Sequence, residues 1–84
     1  MDSNEIVVRV LLFASARECT GTAHLSQTLP AGATVRDLSA HLYDTYPGLR
    51  ELRLRFAVNT AYADLETELH DGDELACIPP VGGG

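Results

Sequence analysis

The chain has 84 residues, of which twelve are acidic and six basic, and its formal net charge is −6. A chain of this length can bury one hydrophobic core, which argues against a self-contained enzyme with a deep, walled pocket. Apolar residues make up 45% of the chain and charged residues 21%, so we expect a single compact domain. The negative charge argues against nucleic acid and anionic membranes as partners and favours proteins with basic surfaces.

The cysteines and the first residues of the chain indicate its cellular location and whether it binds a metal. Cys19 and Cys77 are too few for a disulfide framework or a four-thiolate metal site. The first five residues are acidic where a signal peptide would be basic, and Arg9 interrupts the apolar run that follows. No stretch approaches the roughly 20 apolar residues of a membrane span. We therefore expect a cytoplasmic protein that binds no metal.

The first third of the chain predicts two strands. Apolar and β-branched residues alternate over residues 5–14 and predict a first strand with Ile6, Val8, Val10 and Leu12 on its core face. Residues 15–21 predict a turn or a single helical turn that ends at Gly21. The mostly polar alternation over residues 22–29 predicts an edge strand.

The middle of the chain predicts one helix. Thr34 followed three residues later by Asp37 resembles a capping box, which marks a helix start. An apolar stripe would pack on a sheet, and Pro47 with Gly48 would end the helix. The residues of that stripe are Val35, Leu38, Leu42 and Tyr46.

The second half of the chain predicts further strands. In order, we expect an irregular or 3₁₀ connection over residues 49–53, a strand over 54–58, a turn at 59–60, a short strand and loop over 62–69, a turn at 71–73 and a last strand over 74–78. In the strand over 54–58, Leu54, Phe56 and Val58 alternate with Arg55 and Ala57. This order predicts an α+β fold with a mixed sheet of four to five strands and one main helix packed across it. We expect the strands on either side of the helix to form the central pair.

The last six residues differ in kind from the rest. Three terminal glycines have no folding rationale, because glycine loses the most conformational entropy on ordering and buries no side chain. Pro79 and Pro80 cannot extend a sheet ladder and stiffen the chain before the glycines. We therefore predict a domain over residues 1–78 and a flexible tail over 79–84. Such a tail can reach about 20 Å, at roughly 3.3 Å per residue, into the active site of another protein.

Several segments together resemble a known family. They are residues 10–14 (VLLFA), 16–18 (ARE), 20–21 (TG), 56–59 (FAVN), 71–76 (DGDELA) and 78–84 (IPPVGGG). On these the chain resembles the small subunits of molybdopterin synthase, which are sulfur carriers with the ubiquitin-like β-grasp fold. A terminal Gly-Gly alone would be a weak signal, and the preceding Pro-Pro-Val and Asp-Gly-Asp-Glu make it specific.

The resemblance implies a function for the tail. The carboxylate of Gly84, with Gly83 beside it, would be adenylated by a ubiquitin-activating-like adenylyltransferase that uses ATP and magnesium. Sulfur would replace AMP, and the resulting thiocarboxylate would deliver sulfur to a pterin precursor in the large synthase subunit. The chain itself would bind no cofactor and would not be catalytic alone.

A partner must also hold the tail in place. Ordering six residues costs about 6–12 kcal/mol at about 1–2 kcal/mol each, so binding contacts must offset this loss. Strand alternation places Phe13 and Ile78 opposite the core and near the tail, and we expect them to contact the large subunit. The tail residues Pro79, Pro80, Val81 and Gly82 would contact it as well. The alternative is that Phe13 and Ile78 fill a second, minor core.

Other interpretations stay open at this point. The chain could carry sulfur for thiamine or cysteine biosynthesis, act as a ubiquitin-like protein modifier, or be a β-grasp binding module with an incidental tail. We expect Cys77 to be a small buried hydrophobe and the three histidines to lie on the surface. The acidic residues between 64 and 74 could guide basic partners or form a solvated face. The absence of lysine could protect an activated carrier from acylating itself, or reflect base composition alone.

Overall fold

Five strands and two α-helices account for most of residues 4–80, the part of the chain that the computed structural model describes. The strands are β1 (Glu5–Leu12), β2 (His24–Pro30), β3 (Arg55–Val58), β4 (Ala61–Ala63) and β5 (Glu74–Ile78). The helices are α1 (Ala14–Thr20), α2 (Val35–Thr45) and a 3₁₀ helix (Pro47–Leu52). This confirms the predicted mixed α+β arrangement with one main helix.

The strands form one sheet in the order β2-β1-β5-β3-β4. β5 pairs parallel with β1 and antiparallel with β3. β2 lies at an edge, as its polar alternation predicted, and it pairs antiparallel with β1. The expectation that the strands flanking α2 form the central pair is wrong. β5 takes the centre, where Leu75 and Cys77 are fully buried.

The main helix begins with the capping box that the sequence predicted. The Thr34 hydroxyl accepts a hydrogen bond from the backbone N–H of Asp37, and the Asp37 carboxylate accepts one from the backbone N–H of Thr34. Val35, Leu38 and Leu42 are buried against the sheet. The apolar stripe therefore positions α2 across the inner face of the sheet.

The segment after β1 is more regular than predicted. Residues 14–20 form a seven-residue helix, α1, where a turn or a single helical turn was expected. Gly21 ends this helix at a φ of 78°, a left-handed conformation that glycine adopts without strain, and its N–H donates to the carbonyl oxygen of Arg17.

A two-residue turn joins β3 to β4. Asn59 and Thr60 have φ values of 50° and 74°, as type I′ hairpin turns require. The Asn59 side chain also donates to the Asp73 carboxylate at 2.9 Å and accepts from the backbone N–H of Glu74 at 3.0 Å. The turn is thereby tied to the start of β5.

The two faces of the sheet differ sharply. Alternate residues of β1, including Ile6, Val8, Val10 and Leu12, are buried beneath α2, as the sequence predicted. The intervening residues point to the other face, here called the outer face. Among residues 4–80, no buried side-chain nitrogen or oxygen lacks a hydrogen-bond partner.

Candidate functional site

The predicted partner-binding residues meet where β5 ends. The N–H of Phe13 donates to the carbonyl oxygen of Cys77 at 3.4 Å, just as the N–H of Arg9 donates to the carbonyl oxygen of Asp73 at 2.9 Å. The parallel ladder thus continues one residue past β1 and sets Phe13 beside Ile78. The strand pairing, rather than proximity in sequence, brings these two residues together.

Exposed apolar side chains surround this point on the outer face. Phe13 is 47% exposed and Ile78 is partly exposed, so the described surface includes both predicted contact residues. Tyr62 is 69% exposed and shares the outer face, since it lies opposite Ala57, which in turn lies opposite Ala76. We call this surface the outer patch. Its residues are Leu11, Phe13, Tyr62, Ala76 and Ile78.

A cation borders the outer patch. Arg55 lies directly opposite Ile78 across the β3–β5 ladder. Its guanidinium carbon lies 4.9 Å from the centre of the Tyr62 ring, within the range of cation–π contacts. The exposed edge of the patch therefore combines an aromatic ring with a positive charge.

The described residues include only the first part of the predicted tail. Pro79 is buried and Pro80 is exposed, so the side chain of Pro79 packs within the domain. Val81, Gly82, Gly83 and Gly84 lie outside the described residues. Their predicted roles, the partner contacts of both prolines and the boundary at residue 78 stay predictions.

The two cysteines lie in different environments. Cys77 is fully buried, and this burial raises the pKa of its thiol from 9.0 to about 12. The thiol is therefore protonated and inert at neutral pH, which agrees with its predicted role as a small hydrophobe. Cys19 is exposed on α1.

The described residues offer no metal site. His24, His41 and His70 are exposed, and no group of three or more potential ligands converges among residues 4–80. No helix in this part of the chain is long and apolar enough to cross a membrane.

Several acidic residues of the 64–74 segment stabilise turns. Asp64 accepts from the backbone N–H of Glu66 at 2.9 Å, and Asp71 accepts from the backbone N–H of Val7 at 2.8 Å. Asp73 accepts from the backbone N–H of His70 at 2.7 Å. Three of these carboxylates thus accept backbone hydrogen bonds, two of them within their own turns and one from β1.

Sequence reasoning missed two residues of this site. Tyr62 was assigned to a short strand without a role, and Arg55 was only the polar position in an alternating pattern. Their contact depends on the pairing of β3 with β4 and with β5. The alternation of residues 54–58 indicated that Arg55 faces away from the core, but it did not indicate which residues lie beside it.

Comparison with known proteins gives full-length relatives. The chain is 43% identical to the molybdopterin synthase sulfur carrier subunit of Mycobacterium tuberculosis, over 94% of this chain and 99% of that one. It is 38% identical to the molybdopterin synthase sulfur carrier subunit of Arabidopsis thaliana, over 99% of this chain and 88% of that one.

Solved structures agree with the sequence relatives. A putative molybdopterin converting factor, subunit 1, from Pyrococcus furiosus matches with a TM-score of 0.84 and 31% identity, over 90% of this chain and 99% of that one. Small archaeal modifier protein 1 from Methanosarcina acetivorans matches with a TM-score of 0.82 and 31% identity, over 95% and 98%. These matches confirm the ubiquitin-like β-grasp fold.

One matching structure contains two subunits. It is the protein–protein complex of subunits 1 and 2 of the molybdopterin-converting factor from Helicobacter pylori. The match has a TM-score of 0.64 and 29% identity, and it covers 94% of this chain and all of that one. The model of the ThiS family matches residues 10–84, and with these relatives along nearly its whole length the chain belongs to the ThiS family.

Proposed function

We propose that this chain is the sulfur carrier subunit of a molybdopterin synthase. The observation that carries the proposal is the match along almost the entire chain to subunits of that name, two of which are 43% and 38% identical to it. In the proposed function the carboxylate of Gly84, which follows Gly82 and Gly83, would be the reacting group. The outer patch lies at the end of β5, where the chain runs on toward that terminus.

The reaction at the terminus would proceed in three steps. A carboxylate is a poor electrophile, so an adenylyltransferase partner would first join Gly84 to AMP, with release of pyrophosphate from ATP. A donor of sulfide-level sulfur would then attack the acyl carbon, release AMP and leave a thiocarboxylate on Gly84. Finally, the thiocarboxylate sulfur would bond to a carbon of the pterin precursor held by the large subunit and displace an oxygen substituent from that carbon. Water would then hydrolyse the resulting thioester, which leaves the sulfur on the precursor and a carboxylate on Gly84.

The domain would serve to dock and orient the tail. The outer patch supplies apolar surface beside the end of β5, and such surface binds partners through burial of aromatic and aliphatic side chains. Docking through Phe13 and Ile78 would fix the starting point of the tail. That would limit the space the terminus must search and reduce the entropy cost of inserting it.

A protein-modifier role is the second candidate function. Small archaeal modifier protein 1 shares the fold and 31% identity with this chain. In that role Gly84 would form amide bonds with amines of other proteins instead of accepting sulfur. The two roles share the activation step and differ in the nucleophile that follows it.

Intact mass spectrometry separates these roles. The chain is produced together with the adenylyltransferase and the sulfur donor of its own genome, and a variant without Gly84 serves as the control. A carrier gains the mass difference between sulfur and oxygen, whereas the control does not. An unchanged wild-type mass would refute the carrier role, and covalent adducts with other proteins would indicate a modifier.

A further inference from the structure

Arg55 combines an exposed position beside the outer patch with a contact to one of the patch's own aromatic rings. It is exposed at the edge of the outer patch, opposite Ile78, at the point where the last strand ends. The ion pairs formed among residues 4–80 involve Arg36 and His70, and none of them involves Arg55. Its charge is thus free of a carboxylate partner in this part of the chain.

Nearby acidic groups have other contacts. Asp64 follows β4 directly, but its Oδ1 atom accepts from the N–H of Glu66 and from the hydroxyl of Thr67. Glu66 forms an ion pair with Arg36 at the start of α2. Asp64 and Glu66, the two carboxylates that follow β4 most closely, are therefore engaged elsewhere.

Stacking on Tyr62 orients the Arg55 guanidinium. The guanidinium carbon is 4.9 Å from the ring centre, so the flat cation rests on a neighbouring side chain. A guanidinium held in this way keeps N–H groups along its edges, which match the two oxygens of a carboxylate. Less side-chain entropy is lost on binding than with a freely moving arginine.

We propose that Arg55 binds a carboxylate of the large synthase subunit at the edge of the outer patch. This contact would select the orientation in which the domain docks and from which the tail enters that subunit. The large subunit is the occupant because the cation is continuous with the apolar surface that would bind it. The inference rests on the proposed carrier function. Apolar contacts at Phe13 and Ile78 would supply affinity, and one directional charge contact would supply orientation.

The test measures binding of the full chain to the large subunit from its own genome by titration calorimetry. Arg55→Gln removes the charge without adding repulsion, and Arg55→Glu reverses it. We expect Arg55→Gln to raise Kd about fivefold at low salt and Arg55→Glu to raise it at least about tenfold. Both increases in Kd should be smaller at high salt. Arg55→Lys keeps the positive charge but lacks the planar guanidinium that can donate two parallel hydrogen bonds, so its Kd should lie between those of wild type and Arg55→Gln.

Arg50 provides a matched control. Its guanidinium carbon lies 5.3 Å from the centre of the Tyr43 ring, so it makes the same kind of contact on the side of the sheet that carries α2. Arg50→Glu changes the net charge equally and should leave Kd within about twofold of wild type. Thermal unfolding of each variant checks that the domain is intact.

Each outcome decides a separate point. Unchanged binding of Arg55→Gln overturns the proposal, and so does a loss that is equal at low and high salt, since that indicates packing instead of charge. An effect confined to adenylation, with normal binding to the large subunit, also overturns it. If the wild-type chain does not bind the large subunit at all, the proposed function is what fails.

Discussion

Phe13 and Cys77 are joined by a backbone hydrogen bond of 3.4 Å that extends the β1–β5 ladder beyond the end of β1. Because Cys77 is buried and Phe13 is 47% exposed, this one bond links the rigid core to the exposed surface at the end of the last strand. The position of Phe13 relative to Ile78 is thus set by the sheet and not by the helix that follows.

Phe13→Arg should weaken binding to the large subunit about tenfold or more, because it places a charge at the centre of a surface that loses its water when the complex forms. Val7→Arg is a matched control. Val7 is also 47% exposed and faces the same side, but it lies at the far end of β1. Calorimetric titration should show normal binding for Val7→Arg, and thermal unfolding should show little change for either variant. Equal affinities for Phe13→Arg and wild type would exclude the outer patch as the docking surface.

The buried Cys77 thiol predicts how stability depends on pH. In the unfolded chain its pKa is near 9.0, and burial raises it to about 12 in the folded chain. Below pH 9 the thiol is protonated in both states and has no effect. Between pH 9 and 12 only the unfolded chain releases the proton, so the free energy of unfolding falls by up to about 1.4 kcal/mol per pH unit.

Urea unfolding at pH 8 and pH 10 measures this effect. Cys77→Ala should be less stable than wild type at pH 8, because it leaves a small cavity, and should lose less stability between the two pH values. If the stability of Cys77→Ala and of wild type changed equally between pH 8 and pH 10, the raised pKa of the Cys77 thiol would not be the cause of the pH dependence. A thiol reagent should modify Cys19 in the folded wild-type protein and both cysteines after unfolding.

Asn59 should contribute strongly to stability for two separate reasons. Its φ of 50° favours glycine or asparagine, and its side chain bonds both to Asp73 and to the N–H of Glu74. Asn59→Gly keeps the turn conformation and removes the side-chain bonds, so we expect a loss of about 1–2 kcal/mol. Asn59→Ala should cost more, because alanine also tolerates the left-handed conformation poorly. Chemical denaturation measures both, and equal losses would show that backbone conformation contributes nothing.

Patterns local in sequence predicted local structure well. The alternation in β1 gave its buried face, and the Thr34 to Asp37 spacing gave the start of α2, since both depend on residues a few positions apart. The polar alternation of residues 22–29 also identified β2 as an edge strand. The start of the seven-residue helix α1 was less visible, because no side chain caps it.

Contacts between distant strands were harder to predict. The central position of β5 follows from where the chain returns after β4, and no spacing within residues 74–78 specifies it. The stacking of Arg55 on Tyr62 depends on the same pairing. The exposure of Phe13 could be predicted, because strand alternation specifies the face of the sheet on which its side chain lies.

The parallel pairing of β1 with β5 also has a mechanical consequence. A force that pulls the chain before Glu5 and after Ile78 in opposite directions would slide these two neighbouring strands along each other. Their hydrogen bonds would then carry the load together instead of opening one after another from an end. If a partner draws the tail into a channel by force, the domain should resist unravelling from the strand that bears the tail.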